Sequence, residues 1–417
     1  MKKTNVLLAF AAFFIFSVSL WVVPEANAVP AFARQTGLAC STCHFQHFPA
    51  LNAFGRAFKA GGYTQIGGQG KVEGEDLSIP DTLNASLVTK IRYQKTNGKN
   101  TTAAPANAES GTNKGDLQFP DEAALLIGGR AGEHVGFLLE ASLKDATSFT
   151  SYKMPIVYDV GPVKLSVIPF TTDGLGASYG FELLNTGAVR HQRVLENASG
   201  TVTSAQQYIG TATAAEGFAF VAYNEMGYIN YTLWGPSHDA NIAVGPLSNY
   251  FRVAATPNLG GWDMGIGAQL WSGTTDVGNN TKYPTHAYAV DAQAQGNVGL
   301  PLGVYLSYGN AKKTKAGDTA NLFNSNAKDK KAVAVLAELG VLPGKATIAA
   351  GYRSGDTGEA ANNKQNAITL GASYLLAQNV QVQLNYSMYS GSYYDLAANN
   401  EDGNGDRLAT LMVFAAF

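Results

Sequence analysis

Both cysteines of the 417-residue chain fall in one short run, Cys40-Ser41-Thr42-Cys43-His44. Two thiols at this spacing can each form a thioether to one macrocycle, and the imidazole that follows is placed to ligate its iron, so the run has the attachment pattern of a c-type haem. A zinc site would ask for further cysteines, and a dithiol redox pair for a βαβ setting. Neither is present. The residues therefore predict one covalently attached haem c, with thioethers at Cys40 and Cys43 and His44 as proximal iron ligand. The sixth ligand stays open. His47, three residues along a helix, would share the face of His44 and could not reach the other side of the same iron, which makes it a surface or propionate-facing histidine. Met154, Met264 and Met388 fall on apolar strand faces and Met226 in a tight turn, so Met412, His191 or a water-bound position remain. Arg34, Arg56 and Lys59 suit haem propionates, and equally suit a solvated surface.

The elements that must position this site are of two kinds. Residues 29–65 read as a small α-helical c-type cytochrome domain. Pro49 is placed to open a helix, Leu51, Phe54 and Phe58 share one face, and Gly61-Gly62 end it. So short a segment buries little core of its own, so the haem or a surrounding wall must supply the partner surface. Residues 66–80 are glycine-rich, polar and without a period, as in a linker. From 81 to 417 the pattern changes to an alternation of period two. Ala85, Leu87, Ile91 and Tyr93 oppose Ser86, Lys90, Arg92 and Gln94, and the same pattern runs through Val135–Lys144, Met264–Leu270, Ala346–Arg353 and Leu408–Phe417.

Alternation alone would also suit a soluble sandwich, and the loops decide between them. Very short connections, such as Gln378-Asn379 and Leu342-Pro343-Gly344, alternate with long polar ones, such as Ala311 to Lys330 and Gly391 to Arg407. Short turns at one rim, long loops at the other and strands of about ten residues predict a transmembrane antiparallel β-barrel of the bacterial outer membrane. The stretch Thr171–Gly217 disturbs the loop pattern. Read as one long outer loop, folded inwards, it gives 16 strands; with Ala177–Leu184 as a strand the count becomes 18. Lys90, Arg92, Glu140, Lys144, Arg252, Asp263, Asp291 and Arg353 would face the lumen as a mixed-charge wall, without the dense acidic cluster an iron cage needs.

The first residues, MKKT, the apolar run Val6–Val23 and Ala26-Asn27-Ala28 match a secretory signal peptide over 1–28. Export agrees with the haem pattern, and no apolar run after the leader reaches the roughly 20 residues of a spanning helix. A net charge of -2, with no basic stripe, argues against nucleic acid as a partner.

The residues Pro30-Ala31-Phe32-Ala33-Arg34-Gln35-Thr36-Gly37, Cys40 to His44, Pro49-Ala50-Leu51, Phe54-Gly55-Arg56-Ala57-Phe58-Lys59 and Gly62-Tyr63-Thr64 together resemble the fused monohaem cytochrome-porins of iron-oxidising bacteria. The resemblance implies a small cytochrome domain capping or plugging an outer-membrane barrel. It further implies an iron oxidase that works by one-electron transfer, in which extracellular Fe(II) reduces the haem and a periplasmic c-type cytochrome or other soluble carrier receives the electron. The alternatives are a porin for small solutes with a haem gating or sensing domain, and a conduit exporting electrons to an extracellular acceptor.

Overall fold

The computed structural model describes residues 30–75, 77–101, 112–144, 149–189, 204–238, 246–276 and 281–417; the expected leader and His191 lie outside them. Sixteen antiparallel strands close into one barrel. They are β1 (Ala85–Thr96), β2 (Asp116–Arg130), β3 (Gly136–Ser142), β4 (Phe149–Lys153 and Ile156–Val160) and β5 (Val163–Thr172). Next come β6 (Ala215–Asn224), β7 (Gly227–Gly235), β8 (Ser248–Ala255 and Asn258–Leu259), β9 (Trp262–Ser272), β10 (Ala287–Asn297) and β11 (Pro301–Ala311). The barrel ends with β12 (Lys330–Leu342), β13 (Ala346–Asp356), β14 (Lys364–Ala377), β15 (Val380–Ser390) and β16 (Arg407–Ala416). Each strand pairs with its sequence neighbour. At the seam β16 pairs with β1, Leu408 opposite Thr96 and Ala416 opposite Val88. Beyond it Leu87 and Phe417 exchange both backbone hydrogen bonds, at 2.7 and 3.0 Å. Closure leaves no unpaired edge, the condition for a sheet in hydrocarbon.

The alternation sorts side chains in the sense opposite to that of a water-soluble sandwich. Inward Lys90 and Gln383 are 1% exposed, whereas outward Ile266 is 61% and Leu384 55% exposed. In water such an arrangement would be strongly unfavourable; against lipid tails the outer face is satisfied and the polar face is shielded. The strands thus cross a membrane, and the barrel is an outer-membrane one. Its short turns, among them Asn224–Gly227 and Ala377–Val380, share one rim with the start of β1 and with Phe417, which makes this the periplasmic rim.

The expected count of 16 holds, and Ala177–Leu184 is not a strand. Lys144, expected in the lumen, lies past the end of β3 and is exposed, its ammonium donating to the Asp121 carbonyl at 3.0 Å, because β3 stops at Ser142. The expected linker carries a two-stranded ribbon, Lys71–Glu73 with Ser78–Pro80.

The hydrophobic core lies inside the barrel. Before β1 come three helices, α1 (Ala31–Thr36), α2 (Cys40–Cys43) and α3 (Ala53–Ala60); a fourth, α4 (Ala205–Tyr208), belongs to the connection between β5 and β6. That connection folds inwards. Its Phe181, Leu183 and Leu184 form one cluster with Ala60 of α3 and with wall residues Ile168, Ala219 and Tyr228. Its Ala177 and Ile209 join Trp234, Tyr250, Trp271 and Phe323 in a second cluster. Two inserts, one from each rim, thus meet in the lumen.

Candidate functional site

The cysteines occupy the single turn of α2, where an i, i+3 spacing puts both on one face. His44 leaves that turn in an extended conformation and pairs with Leu51, so residues 45–50 form a loop between them. Asn52 then starts α3. Its Oδ1 accepts from the Gly55 amide at 3.0 Å, and its Nδ2 donates to the Thr42 carbonyl at 3.0 Å, so one side chain caps α3 and fixes α2. The helix expected to open at Pro49 therefore begins at Ala53, since the residues before it are engaged in the return from His44. Gly55 is where α3 meets α2: a Cβ there would run into the Cys43 carbonyl oxygen.

Both thiols are free and half-buried. Burial, with Cys40 beside it, pushes the Cys43 thiol up. Burial drives the His44 imidazole down to about 4, against a weaker upward pull from the backbone at Ala50 and Pro49. The ring is thus neutral, the form that ligates a metal. His44 Nδ1 is buried and makes no hydrogen bond of normal geometry, and the ring meets Phe48 edge-on at 5.3 Å. Two uncommitted thiols and an uncommitted neutral imidazole are the donor set a c-type haem requires, so the residues fit that group. Among the described residues no cluster of His, Cys, Asp and Glu is arranged to hold a metal ion.

The segment is fastened to the barrel wall. His47 Nδ1 donates to the Phe48 carbonyl at 2.7 Å, and Nε2 to Glu338 Oε1 of β12 at 2.6 Å. Both partners are acceptors, so both ring nitrogens carry protons and His47 is an imidazolium. Burial opposes that charge, but the Glu338 carboxylate outweighs it and raises the pKa. His47 thus has no lone pair for iron and is neither a surface nor a propionate-facing residue, as the sequence had suggested; it is buried against the wall. Arg56 makes a bidentate pair with Asp263 of β9, at 2.8 and 2.6 Å. Arg34 donates to the Ala85 carbonyl at the start of β1. Neither arginine is left for a propionate. Asn185 of the in-folded connection receives the Leu51 amide at 2.9 Å and donates to its carbonyl at 3.1 Å. Phe48 stacks on Phe414 of β16 with centroids 5.5 Å apart.

Deeper in the lumen Arg252 bridges Asp291 and Glu182, with all three side chains buried. Lys90 pairs with Glu122 and Arg92 with Asp121, so the mixed-charge wall is largely neutralised within itself. Met264 and Met388 face outwards as expected, and Met226 is exposed in its turn. Met412 faces inwards and is buried, two residues from Phe414. A separate cleft of about 440 Å³ opens at the periplasmic rim between Phe54 and Phe58 of α3 and Val157, Asp159 and Lys164 of the wall; neither cysteine nor His44 lines it.

Glu338 and Asn185 were not singled out in the sequence. Glu338 had a signal: it is the one carboxylate on an inward face of β12 that otherwise reads Ala332, Ala334, Leu336 and Gly340. Asn185 had none, because its partner is a backbone group.

Neither a protein-family model nor a curated protein matches the chain. Among solved structures it is similar to a mutant of the porin of Rh. blastica, at 12% identity over 81% of this chain and 100% of that one, with a TM-score of 0.50. It is also similar to the outer membrane channel DcaP of Acinetobacter baumannii (10% identity, 80% and 97% covered, TM-score 0.49) and to OmpT of Vibrio cholerae (10%, 84% and 100%, 0.48). At these identities the likeness is one of fold, a porin-type barrel.

Proposed function

We propose that the chain is an outer-membrane electron conduit that oxidises extracellular Fe(II) and delivers the electron to a soluble periplasmic carrier such as a c-type cytochrome. The observation that carries this reading is the docking of the Cys40–His44 turn in the periplasmic mouth by two buried charge pairs, His47–Glu338 and Arg56–Asp263. A haem c at that turn supplies one-electron exchange, with no acid, base or covalent intermediate.

The residues of the chain do the rest. Cys40 and Cys43 anchor the macrocycle, and His44, kept neutral by burial, offers its lone pair. Phe48 shields the edge of the His44 ring from water. His47 and Arg56 hold the segment against β12 and β9, at the end of the lumen a periplasmic carrier reaches. The apolar layer is about 30 Å thick, so Fe(II) has to approach through the lumen from the long-loop rim. Stopped-flow mixing of the oxidised, purified protein with Fe(II), followed at the haem bands, tests the proposal; no reduction on mixing would sink it.

The porin-type fold supports a second reading, a solute pore with a haem gate or sensor. Planar-bilayer recording separates them: a large open conductance in the haem-loaded protein favours the pore.

A further inference from the structure

Arg34 and Arg56 are engaged by the wall, but Lys59 makes no hydrogen bond or ion pair among the described residues. It precedes Ala60, which packs in the lumen against Ile168 and Phe181. Lys59 also lies one turn along α3 from Gly55, on the side where α2 docks. Its carbonyl accepts from the Gly62 amide at 3.1 Å, and Gly62 abuts Pro155 and Val157 of β4.

Two residues before Pro155, Lys153 points inwards and is 4% exposed. Its ammonium donates to the Tyr179 carbonyl at 3.0 Å and lies 4.1 Å from the centre of that ring. Among the described residues no carboxylate pairs with it. The two ammonium groups are close enough to repel one another. Glu182, the carboxylate that acts on Lys59, is already committed to Arg252, Tyr228 and the amides of Leu183 and Leu184. Two ammonium groups withdrawn from water without a counter-charge are strongly unfavourable; an oxyanion between them removes the cost.

We propose that Lys59 and Lys153 form a buried oxyanion-binding site in the lumen, occupied by a carboxylate of the haem attached at α2 or by a free phosphate-type anion. The first source rests on the haem reading above; the second does not.

The test uses the full-length, haem-loaded protein in detergent beside K59M, K153M and the charge-keeping K59R and K153R. Inorganic phosphate is titrated and followed by phosphorus NMR. Saturable broadening that is lost in both methionine variants and kept in both arginine variants supports the site with a free oxyanion as occupant. Absence of phosphate binding, with a displaced propionate band in resonance Raman spectra and a lowered reduction potential in both methionine variants, supports it with the haem carboxylate. Variants that retain heat-modifiable migration and show neither response overturn the site. Phosphate binding through the two lysines in protein lacking covalent haem would count against the haem reading alone.

Discussion

Replacing Glu338 is the most informative single perturbation of the docked segment. The His47 and Glu338 side chains are 4% and 0% exposed, so screening by water is small. Glu338→Gln keeps a partner in place: the imidazole can shed its proton, hold Nδ1–H on the Phe48 carbonyl and accept the new amide at Nε2. A charge-assisted bond is thereby exchanged for a neutral one, a loss of about 1 kcal/mol. Glu338→Ala removes the partner outright, and breaking a buried pair costs about 3–5 kcal/mol, at least ~100-fold in the ratio of docked to released segment. The pH dependence has a definite sign. The docked pKa of His47 is raised, so its contribution is complete below the ordinary histidine value of about 6.5 and is lost as pH rises through the docked value. Hydrogen–deuterium exchange over residues 31–63, with the strand amides as internal reference, reads this directly. Protection is expected to fall from wild type to Glu338→Gln to Glu338→Ala at pH 6, and to decline towards pH 9 in wild type only. Equal protection in the three proteins, or a wild type indifferent to pH, refutes the assignment of His47 as a wall-bound imidazolium.

His44→Ala is expected to abolish the native haem spectrum while leaving heat-modifiable barrel migration intact; if the barrel also fails to assemble, the two-part architecture is wrong. Gly55→Ala drives a methyl into the Cys43 carbonyl oxygen and should cost about 1–3 kcal/mol in the packing of α2 on α3. Its readout is a reduced yield of covalent haem per barrel, and an undiminished yield would show that the two helices need not touch. Arg252→Met leaves Asp291 and Glu182 buried without their cation, a loss of about 3–5 kcal/mol, measured as a lower denaturant midpoint of the barrel. Arg56→Ala combined with Glu338→Ala releases both charged fastenings, and single-channel conductance should rise. An unchanged conductance would mean that the in-folded connection alone sets the resistance.

The strands were legible because a membrane barrel writes its sidedness into every second residue. Lys90 and Arg92 on one parity and Ile91 and Tyr93 on the other needed no tertiary information. The strand count turned on 173–214, where an inward fold replaces alternation with local packing such as that of Phe181 and Leu184 on the wall. In the candidate site, the thiols and His44 are adjacent in sequence, so their grouping is local. Their surroundings are not. Glu338 is 291 residues from His47 and Asp263 is 207 from Arg56, and no local pattern ties a cation to a carboxylate at that separation. Arg34, Arg56 and Lys59 looked alike in sequence for that reason; only the closed wall tells them apart.

The stack of Phe48 on Phe414 has a meaning in time as well as in space. Phe48 belongs to the segment that precedes the first strand, and Phe414 to the strand that closes the ring, so one partner is among the first residues made and the other among the last. An open, half-zipped sheet presents the two rings to different surroundings. Their contact is complete only when β16 has met β1, which makes the pair an internal reporter of barrel closure.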